Sequence, residues 1–275
     1  MRKYRPFLKA GMMNSFAYRG TIFTWLFITA LQIVCVVFLW VAVYRSSPDG
    51  VDSVINGFTF KEMIVYTVLA NIFGFVTMGS ESQFIINEDI KKGTIDLAFT
   101  KPISYRLRLL AQNVGEFLGV DLMIGLPGFI IAFIVFISIG FINVTPLGLL
   151  VSVAFFLIAQ LLASILEDTV SYICGVLCFY TSSGWGINQA KEVIVSFLSG
   201  RLLPLSFFPG VFATIVGYLP FAGMSYYPVL ILIGKVDILT SIHYVGFSLV
   251  WLIALNLFAK VLFNHASKKI TVQGG

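Results

Sequence analysis

The 275-residue chain is 58% hydrophobic and only 11% charged, whereas soluble domains carry about 25% charged residues. This composition excludes an ordinary soluble protein. The net charge of +5 does not indicate a nucleic-acid partner, because Lys and Arg gather at the ends of apolar runs, as they do at membrane surfaces. Several of these runs are about as long as the 20 residues that a helix needs to cross a bilayer. They lack the alternation of barrel strands, so we predict an all-α membrane protein.

Residues 1 to 20 combine apolar side chains at a spacing of four residues with five basic residues. The apolar positions are Tyr4, Leu8, Met12 and Phe16. This pattern predicts an amphipathic helix that lies flat at the membrane interface.

Six membrane spans follow, in what we expect to be a single transmembrane domain over residues 1 to 275. Pro146 opens the fourth span. The segment at 198 to 228 carries so many Pro and Gly residues that it cannot form one straight helix. We therefore predict that the fifth span breaks there into short helices that re-enter the outer leaflet. The expected spans are 21 to 44, 60 to 79, 117 to 140, 146 to 180, the broken segment, and 242 to 263.

The distribution of basic residues predicts the orientation. Both terminal segments, the charged block at 81 to 108 and a polar stretch at 181 to 192 together hold fourteen of the 18 Lys and Arg residues. The opposite side holds Arg45, Lys61, Arg201 and Lys235. By the positive-inside rule, both termini and the charged block face the cytoplasm.

Glu167 and Asp168 interrupt the fourth span, and two interpretations stay open. Either the span ends near Leu166 and the two acids form a cytoplasmic turn, or the span continues to Tyr180. In the second case the acids lie within the membrane, where each needs a partner, a proton or a polar cavity, and they are candidates for lining a transport pathway.

The charged block mixes both signs of charge with apolar anchors, a composition that suits protein docking. Gly93 can adopt a left-handed turn that ends one short helix, Thr94 can cap the next, and Pro102 can stop it. We expect two short helices at a bend beneath the membrane.

This block resembles a loop in the permease subunits of bacterial ATP-binding-cassette exporters of the type-2 class. The matching residues are Glu88, then Lys92-Gly93-Thr94, then Lys101-Pro102-Ile103-Ser104. The stretches LSGRLLPLSFFP at 198 to 209 and YLPF at 218 to 221 resemble the re-entrant hairpin of that class, and the closing KKITVQGG resembles the tail of one subgroup.

The resemblance implies that the block is a coupling helix seated in a groove of an ATPase. The implied coupling residues are Glu88, Asp89, Lys91, Lys92, Gly93, Thr94, Lys101 and Pro102. The implied outer gate, where helix breaks leave backbone groups free to rearrange, comprises Gly200, Pro204, Pro209 and Pro220.

The resemblance also implies partners and a location. A pair of separate ATPase subunits would bind ATP and Mg²⁺, and a second permease, identical or related, would complete the efflux pathway in the bacterial plasma membrane. The chain itself has no P-loop, because Gly234-Lys235 is followed by Val236 rather than Ser or Thr. We expect this chain to bind no cofactor, no metal and no nucleic acid.

Two other functions stay open. The chain could be a membrane anchor or sensor subunit that transports nothing, or, less in keeping with its residues, an intramembrane enzyme. An enzyme would need paired catalytic residues, and neither a G-x-S-x-G nor an H-E-x-x-H motif occurs. The sequence does not identify the substrate.

Overall fold

In the computed structural model the chain is almost entirely helical. The structure describes residues 3–17, 19–77, 81–95, 103–142, 145–181 and 184–269, and within them the chain forms eleven α-helices. They are α1 (Arg5–Ala17), α2 (Arg19–Arg45), α3 (Phe60–Val76), α4 (Glu81–Lys91), α5 (Tyr105–Glu116), α6 (Leu122–Ser138), α7 (Pro146–Leu177), α8 (Gly184–Leu198), α9 (Gly210–Gly217), α10 (Tyr226–Leu232) and α11 (Ile238–Ala266).

Three of these helices are long and apolar enough to cross a membrane. The qualifying stretches in the described part of the chain are Leu26–Arg45, Pro146–Leu177 and Ile238–Ala266. A shorter apolar helical stretch, Gly125–Ser138, lies in α6. The all-α membrane class is thereby confirmed, and the count of six spans stays a prediction.

Local capping explains where α3, α7 and α11 begin. Thr59 and Glu62 form a reciprocal capping box at the start of α3. Thr145 accepts a hydrogen bond from the Gly148 amide at 3.2 Å, and Pro146 occupies the first position of α7, as predicted. Asp237 caps α11.

The loop before α3 contains the only strands in the described residues. Val54–Ile55 pairs in antiparallel register with Phe58–Thr59. Both turn residues have positive φ, 47° at Asn56 and 82° at Gly57, as a tight two-residue hairpin requires.

The start of the third span is not a helix boundary. A π-helical segment, Phe117–Asp121, joins α5 to α6 without a break, so α5, which begins at the end of the charged block, and the predicted third span form one continuous helical rod. The polar stretch predicted at 181 to 192 is also helical, from Gly184 onward.

The segment at 198 to 228 is broken as predicted. After α8 the chain turns at Gly200, which has φ +80°. It then forms short helices separated by 3-10 turns at Leu205–Phe207 and Pro220–Met224. Most of α10 is buried, and α3 packs at the centre of the same core, with Met63, Leu69 and Phe73 fully buried.

The amino-terminal helix packs on protein along the stripe predicted to face lipid. Tyr4 accepts a hydrogen bond from the Ser104 amide at 3.0 Å. The Leu8 backbone lies against Gly115, and the Met12 backbone lies against Gly119. Gly115 and Gly119 are four residues apart, the small-residue spacing that permits close helix contact. The stripe at positions 4, 8 and 12 therefore faces the α5 rod.

Candidate coupling site

A buried polar cluster fixes the start of α4 to α7. Asp168 is fully buried, and its Oδ1 accepts hydrogen bonds from Ser82 Oγ at 2.7 Å and from Asn113 Nδ2 at 2.5 Å. Its Oδ2 lies 2.6 Å from Arg106 Nη2. A buried carboxylate is tolerated only when charge and hydrogen bonds compensate its desolvation, and this cluster supplies both. Three separate helices, α4, α5 and α7, are joined at one side chain.

Close packing supplies a second anchor on the same face of α4. Ile86 is fully buried. Its Cδ1 lies only 2.6 Å from the position that a Cβ on Gly175 would occupy. One turn earlier, Gln83 Nε2 donates to the Gly184 carbonyl at 3.1 Å. The absence of a side chain at Gly175 therefore lets α4 contact α7 directly, and α8 is tied to the same face.

Asp89 fixes the far end of α4 to α5. Its Oδ2 accepts hydrogen bonds from Tyr105 Oη at 2.9 Å and from Arg108 Nη2 at 3.0 Å, while its Oδ1 accepts from Thr94 Oγ1 at 3.0 Å. The Asp89 and Arg108 side chains are only 15% and 17% exposed. Tyr105 also stacks on Phe263 of α11. The turn after α4 is therefore attached to α5 and, through Tyr105, to the last long helix.

The turn itself has the geometry that the sequence predicts. α4 ends at Lys91, and Gly93 has φ +68°, a conformation that favours glycine. The Gly93 amide donates to the Ile90 carbonyl at 3.1 Å. Ile95 is buried immediately afterwards, so its side chain points inward while residues 91 to 93 remain exposed.

The exposed end of α4 and the turn after it carry charges that a partner could contact. Glu88 and Lys92 form an ion pair of 2.8 Å in which each side chain is 64% exposed. The hydrogen bond from Lys92 lowers the pKa of the Glu88 carboxyl below its ordinary value. Such an exposed pair adds little stability, which leaves both groups available for exchange with charges on another protein.

The predicted coupling residues therefore divide into two groups. Glu88, Lys91, Lys92 and Gly93 form the exposed surface, which we name the apex. Asp89 binds the chain's own α5, and Thr94 donates a hydrogen bond to Asp89, so both hold the apex in place. Lys101 and Pro102 lie outside the described residues. Docking of an ATPase at the apex stays a prediction.

Glu167 and Asp168 lie within α7, so the interpretation that they form a turn is wrong. Glu167 pairs with Arg201 at 3.2 Å, and both side chains are largely buried. Arg201 was predicted to face the outer side, but its guanidinium reaches the residue next to the one that binds Arg106. It therefore lies inside the fold, near the level of the charged block. A pathway-lining role for the two acids stays a prediction.

All four predicted gate residues lie where helices break. Gly200 ends the turn after α8, and its carbonyl accepts a 2.6 Å hydrogen bond from Tyr66. Pro204 and Pro209 precede a 3-10 turn and α9, respectively. Pro220 opens the second 3-10 turn. The gating role itself stays a prediction.

Glu81 adds a titratable group beside the buried cluster. Part of its side chain is accessible, but surrounding protein desolvates the carboxyl and, with the nearby charge of Glu116, raises its pKa to about 7. Lys191 opposes this shift. The protonation state of Glu81 therefore changes close to neutral pH.

Sequence reasoning missed the residues that hold the coupling region together. They are Ser82, Asn113, Tyr105, Arg106 and Arg108. The basic residues and the phenol were visible in the charged block, but their partners are far away in sequence. The one available signal was the acid pair within an apolar run, which requires compensation from elsewhere.

Comparison with known proteins identifies the family. No group of three potential metal-ligating side chains occurs in the described ranges. The chain matches no curated protein significantly. Residues 30–274 match the family described as ABC-2 family transporter protein, and this match includes the coupling region, the broken segment, most of the first long apolar stretch and the whole of the other two. The chain therefore belongs to the ABC-2 transporter family, as a multi-pass membrane permease component.

Proposed function

We propose that this chain is the permease half of an ATP-driven exporter whose separate ATPase subunits dock on the apex. The observation that carries the proposal is the continuity of the apex with buried ion pairs. The exposed turn is attached through Asp89 to α5, and the base of α4 is attached through Asp168 to α7. A force applied at the apex would therefore act on long apolar helices rather than on a loose loop.

Helix length supports a cytoplasmic position for the apex. An α-helix rises about 1.5 Å per residue, so Asp168 lies about 33 Å along α7 from Pro146. The hydrocarbon core is about 30 Å thick. With Pro146 at the outer surface, the acid pair lies at the inner edge of the membrane, and α4 lies beyond it. Together with the bias of Lys and Arg, this supports cytoplasmic termini.

The partners follow from the division of labour in the family. We propose two ATPase subunits that bind ATP and Mg²⁺, and a second permease, identical or related, in the bacterial plasma membrane. The family membership supports ATPase partners, and the missing P-loop requires them for an ATP-driven cycle. Export follows from the resemblance to the type-2 class.

The broken segment is the part best placed to change shape. It is attached to α7 through the Glu167 and Arg201 pair and to α3 through Tyr66 and Gly200. We propose that movement of α7 reaches the outer gate through these contacts. Alternation between two discrete arrangements of packed helices is the form that such transmission takes.

Co-expression with candidate ABC ATPase subunits from the source organism tests the proposal. The variant Lys91→Glu/Lys92→Glu reverses the charge of the apex, and Lys268→Glu, in the exposed turn after α11, is its matched control. We expect the apex variant to lose its ATPase or its effect on ATP turnover, and the control to keep both. Apex variants that alter neither ATPase binding nor turnover would refute docking at this surface. An ATPase that binds but never drives transport, in the native chain as well, would favour the anchor function.

A further inference from the structure

A cavity of about 500 Å³ lies between the start of α5 and the two long helices α7 and α11. Its polar lining includes Ser104, Arg106 and Lys260, and its apolar lining includes Ile103, Ala259 and Phe263. The lining therefore combines two cations with hydrocarbon and an aromatic ring. This mixture matches a molecule with an anionic head and an apolar body.

Arg106 and Lys260 differ in how far their charges are neutralised by other residues. Arg106 pairs with Asp168 through Nη2 and lies 4.6 Å from the Tyr172 ring. Its Nε and Nη1 have no hydrogen-bond partner. Lys260 is exposed and forms no ion pair with a described residue. The cavity consequently carries a net positive charge.

The start of α5 adds further donors. Ser104 is the N-cap of this 12-residue helix, and its hydroxyl accepts from the Leu107 amide at 3.4 Å. The first-turn amides of α5, at Tyr105 and Arg106, have no intrahelical acceptor, as at any helix start. Free amides and the helix dipole both favour a phosphate. Lys260 and the Arg106 guanidinium line the same cavity, so a phosphate bound there would meet two cations as well as the free amides of α5.

The depth of the cavity matches a lipid headgroup. Lys260 lies about 33 Å along α11 from Ile238, at a rise of about 1.5 Å per residue. Asp168, which holds Arg106, lies about equally far along α7. Under the membrane arrangement of the proposed function, on which this step rests, both cations are at the cytoplasmic edge of a hydrocarbon layer about 30 Å thick.

We infer that this cavity binds the phosphate headgroup of an anionic phospholipid from the cytoplasmic leaflet. The phosphate contacts Lys260 and the start of α5, and the acyl region lies against Ala259 and Phe263. Basic pockets between membrane helices on the cytoplasmic side are suited to such headgroups. The lipid would contact α5 and α11 at once, next to the residues that hold the apex, and so occupies a position to stabilise the coupling region.

Native mass spectrometry of the full chain in neutral detergent tests this inference without any ATPase. The chain is mixed with phosphatidylglycerol or with phosphatidylcholine, and the retained lipid is compared. Lys260→Ala and Asn264→Asp change exposed lining residues, whereas Lys268→Ala removes an exposed charge near the same helix end and is the control. We expect about a fivefold loss of phosphatidylglycerol for Lys260→Ala, the effect of about one basic residue at an anionic surface. Asn264→Asp should lose at least as much.

Several outcomes would overturn the inference. Equal retention by the native chain and both lining variants, or an equal loss in Lys268→Ala, would show only general attraction to anionic lipid. Release of the lipid by glycerol 3-phosphate at millimolar concentration would assign the cavity to a soluble phosphate. None of these results depends on ATPase docking, so a failure here leaves the proposed function standing, and a failure of docking leaves lipid retention unaffected.

Discussion

Replacing Asp89 with alanine tests whether the apex is held rigidly. The substitution removes the acceptor for Thr94, Tyr105 and Arg108. Hydrogen bonds to charged groups contribute about 1.5 to 3 kcal/mol each. Because the Asp89 and Arg108 side chains keep some contact with solvent, we take about 1 kcal/mol for each bond. The expected local loss is about 3 kcal/mol, or about a 100-fold rise in opening of the turn.

The loss should stay local, because the base of α4 is held separately by Ser82 and Ile86. Hydrogen exchange measures it through the amides of Lys92 and Gly93, which donate to carbonyls of α4. We expect these amides to exchange up to about 100-fold faster in Asp89→Ala, with α7 unchanged. Glu88→Ala, which removes the exposed pair, is the control. Unchanged exchange at the turn, or equal loosening of α7, would refute the attachment.

Three further substitutions test the remaining contacts. Asp168→Ala strands the Arg106 charge and should cost about 3 to 5 kcal/mol of stability, seen as a lower melting temperature that the pair Asp168→Leu/Arg106→Met restores. Gly115→Leu places a side chain on the α1 backbone and should detach α1, measured by limited proteolysis, whereas an unchanged cleavage rate would contradict this close packing. The pKa of Glu81 is raised to about 7 in the folded chain, against about 4.3 in the unfolded chain. The contribution of this carboxyl to the free energy of unfolding is therefore fully present below pH 4.3 and is lost as the pH rises through 7. Glu81→Gln should therefore melt at a higher temperature than the native chain at pH 8, and the difference should vanish at pH 4.

Features that depend on neighbouring residues could be predicted from the sequence. Gly93 ends α4 because a positive φ favours glycine, and Pro146 opens α7 because a first-turn amide needs no partner. The broken segment follows in the same way from its density of Pro and Gly. In each case the physical cause lies within a few residues of the effect.

Features that depend on distant partners could not be predicted. The carboxylate of Asp168 binds side chains 55 and 86 residues away, and no spacing rule links such positions. The periodicity of α1 predicted a helix lying flat at the membrane interface, whereas its stripe packs on α5 and the segment that follows; periodicity does not say what covers an apolar stripe. The better indication was Gly115 and Gly119, whose spacing permits another backbone to approach.

Glu167 and Asp168 are adjacent in sequence, yet their partners belong to different segments of the chain. Successive residues on an α-helix point about 100° apart, so the two carboxylates face different neighbours. Asp168 faces Arg106 and the base of the coupling region, while Glu167 faces Arg201 at the start of the broken segment. A rotation of α7 that strained one pair would also strain the other, because one backbone carries both. The acid pair therefore connects the base of the coupling region with the start of the broken segment through charged side chains.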